Sequence, residues 1–172
     1  MEGGIRAKRV NDMNNCIKNL LLERLTETHF AIQIILEGID LDLRVYTDTD
    51  WRIRDILGHI ATWDREVTKS LRAFLAKTEY VILDLNGDET EFNDQAVLEQ
   101  RELSTQQIYT EWEQARDDFK AALNDISTDQ FPGDFLFPWG NERGSIVQLV
   151  EYMIEHDEEH RNEIVKVLQV PK

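Results

Sequence analysis

Apolar residues recur every three or four positions along four long stretches of the chain, which is the spacing of one face of an α-helix. The stretches cover about residues 11–37, 52–76, 104–122 and 145–169, and a shorter helical segment at about 91–101 precedes the third. None of them contains a proline, and none alternates between apolar and polar residues over any length. The pattern predicts an all-α protein without a sheet, built as a four-helix bundle with a short extra helix in the crossover between helices two and three.

Capping signals mark two of the predicted helix starts. Ser104 is followed three residues later by Gln107, and Ser145 by Gln148, which is the pattern of a capping box. Gly38 follows the first helix at the position where a C-terminal glycine is expected. These signals support the predicted boundaries.

The long connection at residues 124–144 is unusual because it is rich in aromatic side chains. It contains Phe131, Phe135, Phe137 and Trp139. Structureless loops of this length are usually functional or disordered, and aromatic residues argue against disorder. We expect these side chains to pack over one end of the bundle, and the alternative is that some of them line a ligand pocket.

Length and composition predict the class of protein. A chain of 172 residues is long enough for one domain, residues 1–172, with residues 1–10 as a flexible tail. The single cysteine forms no internal disulfide, and no apolar run approaches the length of a membrane span or a secretory signal. We therefore expect a soluble, cytoplasmic protein.

The charge of the chain bears on its partners. The formal net charge is −15, and the basic residues are scattered rather than aligned along one face. Such a protein repels phosphate backbones, so nucleic acid is not an expected partner, and neither is a membrane. A small-molecule substrate and a second copy of the chain remain as expected partners.

The most informative polar residues are two histidines on the last predicted helix. His156 and His160 are four residues apart, so both imidazoles project from the same helical face and can bind one metal ion. A polar pair at a helix edge is the alternative. His59, on the second helix, is the best candidate for a third ligand, although it projects toward an edge of its apolar stripe.

Two aspartates fall near the centres of apolar stripes, where a carboxylate is costly unless something satisfies it. Asp64 lies on the second helix, and Asp157 directly follows His156. Each is a candidate to orient a ligand imidazole or to take a proton in catalysis. The alternative is a structural hydrogen bond to a buried Trp, Tyr or Arg.

Two segments of the chain resemble the DinB-like superfamily. Residues 51–64 read Trp-Arg-Ile-Arg-Asp-Ile-Leu-Gly-His-Ile-Ala-Thr-Trp-Asp. This run is similar to the start of that superfamily's second helix, where a Trp opens the helix and a His follows about two turns later. Residues 156–164 read His-Asp-Glu-Glu-His-Arg-Asn-Glu-Ile and resemble the final helix. Residues 92–119 are similar to the branch that includes ClbS/DfsB proteins. One local departure is Arg52, where a capping Ser or Thr is usual.

This resemblance implies a four-helix bundle with up-down-down-up connectivity and a divalent metal held by His59, His156 and His160. Superfamily members include thiol-dependent transferases, isomerases and hydrolases, so the resemblance does not identify a substrate.

The first functional hypothesis is a metal-dependent hydrolase or thiol-dependent transferase that acts on a small organic molecule. Zinc is the expected ion, and nickel or iron also suit three nitrogen ligands. Asp157 and Asp64 would serve as catalytic residues. Two alternatives need no catalysis: a ClbS/DfsB-like protein that binds and protects against a small molecule, and a helical dimerisation module with an incidental metal.

Overall fold

The computed structural model describes residues 2–83, 85, 89–131 and 133–169, with side chains from residue 8 onward. The chain is mainly helical. The helices are α1 (Glu2–Leu36), α2 (Ile53–Leu75), α3 (Glu89–Gln100), α4 (Thr105–Asp125) and α5 (Ile146–Leu168). In the part of the chain described, no helix has both the length and the apolar character needed to cross a bilayer.

Four of the five predicted helices agree closely with the structure at both ends, and the first differs at its start. The capping boxes at Ser104 and Ser145 are formed, and each serine oxygen accepts from the backbone N–H three residues later. Helix α1 starts at Glu2 rather than near residue 11, so it continues into the segment expected to be a flexible tail. The flexibility of that segment stays a prediction.

The prediction that no sheet is present needs one correction. Strands β1 (Asp134–Leu136) and β2 (Arg143–Ser145) form a short antiparallel hairpin inside the aromatic connection. Phe135 and Phe137 are buried, whereas Asp134 is exposed and Leu136 is half-buried. An alternation this short does not stand out in the sequence as a strand signal.

A glycine allows the hairpin to pack closely. A Cβ atom on Gly144 would lie 2.6 Å from the Phe137 ring and 2.7 Å from Oε1 of Gln148. Only a residue without a side chain fits at that distance. The hairpin therefore lies tightly against the start of α5.

Among the described residues, two apolar clusters make up the core. Helix α2 packs chiefly on α4, α1 packs on α5, and α3 covers α2. One cluster contains Phe119, Phe131 and Phe137, and the other contains Ile56 and Trp112. Between the two clusters lie three buried charged residues, Asp64 of α2, Arg116 of α4 and Asp157 of α5, which form a polar layer within the core.

The segment before α2 anchors the end of that helix. Arg52 occupies the N-cap position, and the Asp55 carboxylate accepts from its backbone N–H at 2.9 Å and from its Nε at 3.1 Å. The Asp55 carboxylate thus makes the half of a capping box that runs from N3 to the N-cap residue, whereas the Arg52 side chain has no acceptor for the backbone N–H groups of the first turn. Backbone bonds from Ile53 to Leu43 and from Arg54 to Leu41 hold the preceding segment, which carries Tyr46, beside the helix.

Candidate metal centre

Three histidine rings from two helices meet at one point. Nε2 of His59 lies 2.9 Å from Nε2 of His156, and Nε2 of His160 lies 3.1 Å from the same atom. The group could hold a metal ion, since one ligand atom from each ring lies within 4.8 Å of the others. Helix α2 supplies His59, and one turn of α5 supplies the other two. The predicted grouping of these three residues is confirmed.

A carboxylate and a phenol orient one of the rings. Nδ1 of His160 lies 2.8 Å from Oε2 of Glu163 and 3.4 Å from the Tyr46 hydroxyl, which itself donates to Glu163. A carboxylate cannot donate, so His160 carries its proton on Nδ1 and presents the lone pair of Nε2 to the other rings. This is the tautomer that a metal ligand needs.

The surroundings keep two of the rings neutral. Burial, with smaller contributions from His160 and Arg116, lowers the pKa of His156 to about 3. Burial also lowers the pKa of His59 well below its ordinary value, and the two neighbouring rings add to the effect. Neutral imidazoles are the form that binds metals.

The three rings cannot all satisfy their Nε2 atoms by bonding to one another. Because Nε2 of His160 is an acceptor and Nε2 of His156 carries at most one proton, only one of the two contacts with His156 can be a full hydrogen bond. A tetrahedral ion with bonds of about 2.0–2.1 Å places its ligand nitrogens roughly 3.3 Å apart. The observed separations of 2.9 and 3.1 Å are close to that value, so the donor set fits a divalent ion.

The two predicted aspartates lie next to this group and share one arginine. Nε of Arg116 donates to Oδ2 of Asp64 at 2.9 Å, and its NH2 group lies 2.8 Å from Oδ2 of Asp157. Thr28 also donates to Asp157 at 3.3 Å. All three charged side chains are almost completely buried. The hydrogen bonds of both carboxylates among the described residues thus run to Arg116 and Thr28, and a catalytic role for them stays a prediction.

One positive and two negative charges in a buried layer are not balanced. Burial, opposed by Arg116 and supported by the neighbouring Asp157, raises the pKa of Asp64 to about 7. Burial likewise raises the pKa of Asp157 against the effect of Arg116. A divalent cation beside the layer would favour the ionised form of both carboxylates.

A pocket opens beside the histidines. It has a volume of about 280 Å³ and reaches His156. Its other lining residues are aromatic, acidic or sulfur-containing: Trp63, Glu89, Trp139, Glu142, Tyr152 and Met153. Trp63 and Tyr152 thus lie next to Trp139 in the lining, as its two aromatic neighbours there. Of the aromatic connection, Trp139 lines the pocket, whereas Phe131, Phe135 and Phe137 pack in the core.

Sequence reasoning missed several polar residues around the site. Glu163 lies one helical turn after His160, and this spacing could have identified it as an orienting carboxylate. Arg116 lies among the apolar positions of α4. A basic residue at such a position is the expected partner for Asp64 and Asp157, which lie in the apolar stripes of their own helices. Tyr46 comes from an irregular segment and had no comparable signal.

Comparison with known proteins gives one match. The family model described as the DinB superfamily matches residues 21–164, a segment that includes all three histidines. No curated protein and no solved structure matches the chain at a significant level.

Proposed function

The chain belongs to the DinB superfamily, and on that premise we propose that it is an enzyme that uses a divalent ion held by His59, His156 and His160 to act on a small organic molecule. The observation that carries the proposal is the convergence of three Nε2 atoms beside an open pocket. We propose a hydrolase or a thiol-dependent transferase. Zinc is the expected ion, with nickel and iron as alternatives.

The residues around the ion have separate tasks. Glu163 and Tyr46 hold His160 in the required tautomer. Arg116 ties α2 to α5 beside the ligands, so Asp64 and Asp157 act first as positioning residues, and any proton transfer by either is a further part of the proposal. A divalent ion bound there supplies Lewis-acid chemistry, because it polarises a coordinated substrate atom and lowers the pKa of a coordinated proton donor.

The proposed connectivity is up-down-down-up. Consecutive helices that run parallel in a bundle need a long crossover connection, and the connection between α2 and α4 is long enough to contain α3. The close packing of α2 on α4 and of α1 on α5 also supports this order.

Elemental analysis of untagged protein tests the metal. We expect one divalent ion per chain, and His160→Ala should lose it without losing helical content. His29→Gln is the matched control, since His29 lies outside the group and contacts Glu113. A wild-type protein without bound metal, or His160→Ala with full metal occupancy, would refute the proposal.

The pocket also supports a second candidate function. A cavity lined by aromatic rings can bind a small molecule without any ion. The chain would then be a binding or protection protein of the ClbS/DfsB type. Ligand binding that survives complete metal removal, with no turnover in either form, would favour this candidate.

A further inference from the structure

From the composition of the pocket beside His156, we infer that it recognises an organic ammonium group on the substrate. The inference builds on the proposed function, because it assigns one part of the substrate to the pocket walls and leaves the reacting part to the metal ligands. The chemical class is a small amine or quaternary ammonium compound.

Three aromatic rings line the pocket at angles to one another. The ring centroids of Trp63 and Trp139 are 6.4 Å apart with planes at 67°, and those of Trp139 and Tyr152 are 6.1 Å apart with planes at 52°. Rings arranged in this way form adjacent walls rather than a stack. The negative faces of such rings attract a cation that has been stripped of water, and tryptophan is the strongest of them.

A carboxylate is fixed between two of these rings. Oε2 of Glu142 accepts from Nε1 of Trp139 at 3.0 Å, and Oε1 accepts from the Tyr152 hydroxyl at 3.2 Å. These bonds hold the negative charge at the pocket wall, and donation to an anion makes each ring more electron-rich. Glu89, in the first turn of α3, adds a second carboxylate to the lining.

The described lining residues include no lysine or arginine. An anionic substrate would therefore be repelled by two carboxylates, with no lysine or arginine on the walls to compensate. A purely apolar substrate would leave both carboxylates without a counter-charge in the pocket. A divalent ion at the neighbouring histidines repels ammonium groups, but two carboxylates offset that charge within the pocket. A substrate with its cation among the rings and its reacting group at the histidines satisfies both ends.

Calorimetric titration with choline and with its neutral carbon analogue tests the inference. The two probes have the same shape, and a tert-butyl group replaces the trimethylammonium group in the analogue. We expect the wild-type protein to bind choline at least about tenfold more tightly than the analogue. Equal affinities, or no binding of choline, would overturn the inference.

Two substitutions locate the effect. Glu142→Gln keeps the shape of the side chain but removes its charge, so choline affinity should fall about fivefold or more while the analogue is unaffected. Trp139→Leu should weaken choline binding by a similar factor. Glu158→Gln removes an exposed charge from α5, outside the pocket, and is the matched control. If Glu142→Gln binds choline as tightly as the control does, the inference fails.

The His160→Ala variant separates this inference from the proposed function. His160 is not among the pocket-lining residues, so the variant should lose metal and retain its preference for choline. Loss of choline binding in a folded variant would mean that the ion, and not the aromatic walls, binds the probe. If the wild-type protein binds choline selectively but binds no metal, the proposed metal-dependent function is wrong and the ammonium-binding pocket is supported.

Discussion

At the scale of single residues, the orientation of one imidazole depends on a carboxylate that follows it on the same helix. Glu163 accepts from His160 and from Tyr46, so it selects the tautomer that directs Nε2 toward the other rings. Neither His59 nor His156 has a hydrogen-bond partner for Nδ1 among the described residues. The control of ligand geometry is therefore concentrated on His160.

Replacing Glu163 should weaken metal binding more than it weakens the fold. In Glu163→Gln the side chain keeps its shape but offers a weaker acceptor, and we expect metal affinity to fall about 10- to 100-fold. Competition with a chromophoric chelator measures the affinity. Glu159→Gln, an exposed position on the same helix, is the control. Equal affinities for the two variants would show that Glu163 does not orient the ligand.

His29 should make stability depend on pH. Burial, and then Arg116 and Lys120, lowers the pKa of His29 to about 3 from 6.5, so its contact with Glu113 at 3.2 Å is a hydrogen bond from a neutral ring. Between these values the unfolded chain binds more protons than the folded one. The contribution of His29 is therefore complete above the unfolded pKa and is lost as the pH falls toward the folded value.

Urea unfolding at two pH values measures this effect. From about pH 6 to about pH 5, the wild-type protein should lose about 1 kcal/mol more stability than His29→Gln, which cannot titrate. The metal ligands titrate in both proteins and cancel in the comparison. Identical pH dependence would mean that His29 is not buried as a neutral ring.

At the scale of helices, a buried cluster of three charged side chains joins three of them. Arg116 of α4 bonds to Asp64 of α2 and to Asp157 of α5, between the two apolar clusters. A buried ionic group is costly to form, but it specifies how the helices are aligned. That alignment brings His59 on α2 opposite the two histidines of α5.

Arg116→Met should destabilise the protein by about 3–5 kcal/mol, because it leaves two buried carboxylates without a counter-charge. Adding Asp64→Asn and Asp157→Asn removes both charges and should recover part of the loss. Denaturant unfolding measures each variant, and metal content reports the alignment of the helices. A loss below about 1 kcal/mol for Arg116→Met would contradict the structural role of the layer.

At the scale of the whole molecule, folding and metal binding should be separable. The apolar clusters extend across the domain on both sides of the polar layer, and a domain of this size does not require a structural metal to fold.

The predicted homodimer stays a prediction. Helix α1 carries several exposed apolar side chains that a second copy of the chain could cover: Val10, Met13, Leu20, Phe30 and Ile34.

Chelation should lower the unfolding temperature without changing the circular dichroism spectrum. At free metal about 100-fold above its dissociation constant, binding adds about 2.7 kcal/mol, which corresponds to roughly 5–10 °C for a chain of this length. The His160→Ala variant should not respond to the chelator. If chelation abolishes the helical signal, the ion is structural rather than functional.

The sequence by itself determined the helical segments and two capping boxes, and it identified three histidines as candidate metal ligands. Helix periodicity and the i, i+4 spacing of His156 and His160 are local properties, and they follow from the geometry of one helix wherever it packs. The hairpin in the aromatic connection was missed, because three-residue strands have little periodicity and depend on packing against α5.

Only the tertiary structure decided which polar groups meet. The partners of Asp64 and Asp157 lie on another helix, at Arg116, and the pocket combines side chains from α2, α3, α5 and the aromatic connection. Such contacts depend on how helices are rotated and aligned against one another, which no local pattern encodes. His59 shows the limit most clearly, since its helix directs it to an edge and packing alone brings it to the other two rings.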